Sequence, residues 1–73
     1  MDALTREFLI ACEMHSPSRL RAVLDAGFDV HAPIDGTSPV MQLVEMYFRS
    51  DHFPHCLALL LGAGAELEDP RLA

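Results

Sequence analysis

Ala26-Gly27-Phe28-Asp29-Val30 returns as Ala63-Gly64-Ala65-Glu66-Leu67, an offset of 37 residues (64 − 27), and this recurrence decides how the chain is read. Working outward, the same offset sets Pro17 on Pro54, Leu20 on Leu57, Val23 on Leu60 and Leu24 on Leu61. A second block, Ala11-Cys12-Glu13-Met14, aligns with Leu43-Val44-Glu45-Met46 at an offset of 32 (43 − 11). Two blocks in the same order at unequal spacing imply an insertion between them. A period of this size indicates stacked helical units rather than one closed globule. Such units bind other proteins along a surface instead of holding a catalytic pocket.

Four helical stretches surround the repeated blocks. The first runs from about Ala3 to Met14, with Leu4, Phe8, Ala11 and Cys12 at helical spacing. Ser16-Pro17 supplies an N-cap and a proline at the first helical position. The second helix turns Leu20, Val23 and Leu24 inward and stops at Gly27, where a left-handed C-cap needs no Cβ. Pro33, Asp35 and Gly36 make residues 28–37 an extended turn or short hairpin arm. Ser38-Pro39 repeats the cap and opens a third helix, expected to reach about Arg49. Pro54 opens the fourth, which Gly62 to Gly64 end.

Composition narrows the function. Seventy-three residues with 51% hydrophobic content make one small domain, not a disordered tail. Eleven acids against five arginines and no lysine give a net charge of −6, which argues against nucleic acid or an anionic membrane as partner. The longest apolar run, Cys56 to Leu61, is too short to span a bilayer, and Met1 to Glu7 lacks a basic leader region. Two cysteines make no disulfide framework, so a reducing, cytoplasmic compartment is expected.

Helix, turn, helix and an extended turn after glycine resemble the ankyrin repeat family. The first copy carries the resemblance on Phe8, Ile10, Ala11, Cys12, Leu20, Val23, Leu24, Ala26, Gly27, Asp29, Val30 and Ala32. Gly36, Ser38, Pro39 and Val40 open a second copy, which Leu57, Leu60, Leu61, Ala63, Gly64, Ala65, Glu66 and Leu67 close. The resemblance implies a single domain over 1–73, with copies at about 4–35 and 36–69 and a tail at 70–73. Met41 replaces the family's histidine, and His15 stands where a glycine usually ends the first helix. From Pro39 to Gly64 is 25 residues, against 20 from Glu7 to Gly27, so the second copy holds about five extra, assigned to Tyr47 through Asp51. These are expected to lengthen both its first helix and the following loop.

The resemblance further implies an all-α stack of two antiparallel helix pairs that binds a partner protein without catalysis or cofactor. Glu13, Met14, Glu45 and Met46 match positions that face partners in such folds, as do Ile34 and Thr37 in the turn between copies. Methionine suits an adaptable surface, although it equally fills core gaps. Tyr47 and Phe48 lie in the insertion, Tyr47 as a candidate contact and Phe48 as a cap on the second copy's own core. Gly27, Gly36, Ser38, Pro39 and Gly64 are read as turn and cap residues. Leu59 has no third copy to cover it, so it is a candidate for self-association, for example in a homodimer through the C-terminal helix pair.

Two readings compete with this one. Cys12-x-x-His15 and His52-x-x-His55-Cys56 have spacings at which cysteine and histidine reach one metal, giving a metal-stapled mini-domain. The resemblance instead sets both cysteines at small core positions, where free thiols act as buried hydrophobes. The other reading is a regulatory or capping fragment of a longer repeat protein, since the tail resembles an interrupted turn. Catalysis finds no support: Gly62-Ala63-Gly64 ends a helix instead of cradling a phosphate. His31, Asp35 and Ser38 read as turn formers.

Overall fold

The computed structural model describes residues 2–65, so Glu66, Leu67, Leu72 and the rest of the tail lie outside the described residues. It contains helices α1 (Ala3–Met14), α2 (Pro17–Asp25), α3 (Pro39–Glu45) and α4 (Phe53–Gly62), and the fold is all-α. Three of the four starts are fixed by a side-chain oxygen that accepts an otherwise orphaned backbone N–H. Asp2 accepts from Thr5, Ser16 from Arg19 and Ser38 from Met41, at 2.6, 3.3 and 3.4 Å. Pro17 and Pro39 follow their caps, where a missing N–H costs nothing. α4 has no side-chain cap and begins with Phe53-Pro54.

The stops repeat one device. Ser16 N–H donates to the Ala11 carbonyl at 3.0 Å and His15 N–H to Cys12 at 3.1 Å, closing α1 around a left-handed His15 (φ 48°). Phe28→Val23 and Gly27→Leu24 bonds close α2 around Gly27 (φ 99°) in the same way. Ala65→Leu60 and Gly64→Leu61 bonds close α4 around Gly64 (φ 102°). This is the Schellman pattern, in which the residue after the helix reverses hand so that the last carbonyls are satisfied.

Between the pairs, Ile34 and Thr37 exchange backbone hydrogen bonds of 2.8 and 3.0 Å across Asp35 (φ 51°) and Gly36 (φ 80°). Positive φ at both central residues marks the tight primed turn that suits a two-residue hairpin. Gln42 Nε2 donates to the Ile34 carbonyl at 2.9 Å and fixes this arm to α3. Among the described residues that bridge is the only extended pairing.

α1 packs on α2 and α3 on α4, while α1 also lies beside α3 and α2 beside α4. The core between them takes Phe8, Ala11 and Cys12 from α1, Leu20 and Val23 from α2, Val40, Met41 and Leu43 from α3, and Cys56 and Leu60 from α4. Phe28, on the arm after α2, stacks on Phe8 with ring centroids 4.3 Å apart. Phe8, Leu20, Leu43 and Leu60 are fully buried, and each such side chain contributes about 1.5–3 kcal/mol. Met41 is buried too and serves as core.

Two expectations are corrected. α3 ends at Glu45, not near Arg49, so the extra residues lengthen the loop and not the helix. Tyr47 and Phe48 leave the helix to pack on Phe53 and His15, and those aromatic contacts override any local tendency to continue it. Leu59 is not uncovered: it packs against the core in a cleft shared with Arg21, Leu24 and Asp25 of α2. Leu61 is the exposed leucine of α4, at 37%. The repeat offset explains the exchange. Leu24, the counterpart of Leu61, points forward to α4, so Leu61 points forward where no further pair follows among the described residues.

Candidate functional site

The C-terminal ends of the two first helices meet, and His15 is the residue that joins them. Its ring is 1% exposed, and Nε2 lies 3.2 Å from the carbonyl of Met46, the cap residue of α3. A carbonyl only accepts, so Nε2 carries the hydrogen and donates. Nδ1 is buried and has no hydrogen-bond partner among the described residues. Phe48 stacks on the same ring at 3.8 Å and 2°, and Phe53 leans on it at 5.4 Å. Tyr47 meets Phe53 edge-on at 4.8 Å and 81°. The ends of α1 and α3 and the 46–52 loop are thereby tied into one rim, which the start of α4 supports through Phe53.

The sequence-predicted contact residues divide across this rim. Glu13 and Glu45 are exposed, and Met14 and Tyr47 are 54% and 58% exposed. Met46 is half-buried against the core, so it fills packing space and does not face outward as Met14 does. Ile34 and Thr37 are half-buried beneath the turn, whose outward tip is Asp35-Gly36. Phe48, expected to cap the second copy's own core, is 48% exposed and covers His15 of the first copy instead. Sequence reasoning missed both Phe48 as an open surface and His15 as its support. The available signal was a histidine at a glycine position ahead of an aromatic-rich insertion.

The cysteine and histidine pairs do not converge. Cys12, His15 and Cys56 are buried, whereas His52 and His55 are exposed. Among the described residues no three His, Cys, Asp or Glu side chains are grouped to hold a metal ion. Burial, with a smaller contribution from the neighbouring Cys56, pushes the Cys12 thiol up to about 12, and burial raises Cys56 as well. Thiols held protonated in this way are poor nucleophiles and poor ligands. The turn residues are occupied locally: Asp29 Oδ1 accepts from the His31 N–H at 2.8 Å, and the Ser38 hydroxyl caps α3. Among the described residues no helix is long and apolar enough to cross a membrane.

With this geometry in place, the comparisons add no relative: no protein-family model, no curated protein and no solved structure matches the chain.

Proposed function

We propose that the chain is a non-enzymatic protein-interaction module whose helix pairs stack in the manner of ankyrin repeats, with its partner bound on the rim formed by α1, α3 and the 46–52 loop. One observation carries the reading. Met14, Tyr47 and Phe48 are three of the four large hydrophobic side chains exposed among the described residues, and all three belong to this rim. Exposed apolar groups gathered at one place mark interaction sites. Tyr47 and Phe48 are already held by Phe53 and His15, so a partner meets ordered rings and loses less side-chain entropy on binding. The ankyrin-like stacking is supported by the repeated helix stops at Gly27 and Gly64, one repeat offset apart, and by the hairpin arm between the pairs.

Selection of random peptides on the immobilised protein, with binders mapped by backbone amide shifts, tests the reading. Enriched peptides should perturb residues 13–15 and 45–48 most strongly. An absence of binders that perturb these residues would refute it.

A further inference from the structure

We infer that the partner presents a basic, arginine-bearing segment to the rim; this rests on the interaction reading above and adds the chemistry of the ligand. The fold places Glu13 in the last turn of α1 and Glu45 at the last residue of α3. A helix C-terminus is the negative pole of its peptide dipoles, so cations are favoured there and carboxylates opposed. Neither last turn carries a basic residue. The Nε2 bond of His15 to the Met46 carbonyl joins these two negative helix ends, each of which also carries an exposed carboxylate.

Among the described residues the only ion pair is Arg21–Asp25, on the far helix of the first pair, so neither Glu13 nor Glu45 is neutralised by one of them. Arg49, the one base on the intervening loop, is exposed and forms no ion pair with Glu13 or Glu45. The rim therefore keeps the sign of the whole chain, whose net charge is −6.

The aromatic rings sharpen the choice of cation. One face of Phe48 covers His15, and its 48% exposure leaves the opposite side open. Tyr47, pinned at its edge by Phe53, adds a second exposed ring. A guanidinium stacks on aromatic faces and bridges carboxylates bidentately, whereas an ammonium acts as a compact point charge. Met14 supplies an unbranched, polarizable contact for an apolar neighbour of that arginine. Arginine followed or preceded by an aliphatic residue is the complement of this surface.

The peptides enriched by selection carry the test, together with a Glu13→Gln/Glu45→Gln variant of the whole chain. Rim-binding peptides should be rich in arginine, and replacing arginine by lysine should weaken them several-fold. Their affinity should fall about tenfold on the double variant, and should fall again as salt is raised past the screening range of about 0.1 M. The variant's melting temperature should stay level or rise, because carboxylates leave negative helix poles, so lost binding is not lost folding. Rim-binding peptides that are acidic or wholly apolar, or that bind the double variant unchanged, would overturn the basic-partner inference while the interaction reading stands. If no peptide engages the rim, both fall.

Discussion

Alanine substituted for glycine should have opposite effects at Gly27 and Gly62, and the contrast isolates backbone conformation from packing. At both positions a new Cβ meets no atom within 4 Å, so neither substitution creates a clash. Gly27 holds φ at +99° in the Schellman turn that stops α2, a region where an L side chain is strained by about 1–2 kcal/mol. Gly62 is the last residue of α4 and has no positive φ, so alanine there gains helix propensity of up to about 0.5–1 kcal/mol. For a small domain whose urea slope is about 1 kcal/mol/M, the midpoint should drop by about 1–2 M for Gly27→Ala and rise by up to about 1 M for Gly62→Ala. A valine at Gly27 should cost more, because branching at Cβ further restricts the backbone. Urea unfolding followed by far-UV circular dichroism at 25 °C reads both. An unchanged midpoint for Gly27→Ala would mean that the helix stop is wrongly described, and a loss at Gly62 would mean that the end of α4 is.

Three further outcomes follow from the same packing. Cys12 and Cys56 should resist a thiol reagent in the native state near pH 8 and react only on unfolding, and stability should fall as pH rises from about 9 towards about 12, because there the unfolded chain releases thiol protons that folded Cys12 retains. The Asp2 carboxyl is held below its ordinary range, first by the Thr5 N–H it caps, so its stabilisation of α1 is complete above that range and is lost as pH falls through the lowered value; Asp2→Asn should remove this part of the acid dependence of the melting temperature. Leu59→Glu should destabilise by about 2–3 kcal/mol through lost burial, whereas Leu61→Glu should leave stability nearly intact and dissociate any dimer formed through the C-terminal flank; sedimentation equilibrium of the unsubstituted chain as a monomer at micromolar concentration would remove that dimer.

The starts of α1, α2 and α3 and the stops of α2 and α4 were legible because short-range chemistry sets them: a hydroxyl or carboxylate before a proline or first turn, and a glycine where φ must be positive. The hairpin arm was legible for the same reason, since Asp35-Gly36 is a primed-turn pair. The end of α3 was not, because nothing local forbids a helix through Tyr47 and Phe48. The ring of His15, distant in sequence, and that of Phe53, beyond the loop, take up Phe48 and Tyr47 instead. The exchange between Leu59 and Leu61 failed for a different cause. Consecutive leucines on one helix supply several apolar faces, and hydrophobicity alone does not say which flank has a neighbour. The offset of 37 helps only at Leu61, by pairing it with Leu24, which faces α4; it pairs half-buried Leu59 with exposed Ala22 and so gives no sign that Leu59 is covered.

His15 unites fold and site through a conflict between local and tertiary preference. Glycine would stop α1 at no conformational cost, as it stops α2 and α4, whereas a histidine at φ 48° pays about 1–2 kcal/mol for its left-handed backbone. The ring also buries Nδ1 with no partner among the described residues, a second cost. Against these stand one hydrogen bond to Met46, of about 1 kcal/mol net, the stack with Phe48, of about 0.5–1.5 kcal/mol, and the burial of the ring itself. What a glycine would lack is the connection: the side chain of the residue that ends α1 bonds to the cap residue of α3 and supports the open ring of Phe48. Among the described residues that bond joins the end of α1 to the end of α3, the first helices of the two pairs. Through that bond a strained residue ties the last turn of α1, which carries Glu13, to the cap of α3, which follows Glu45.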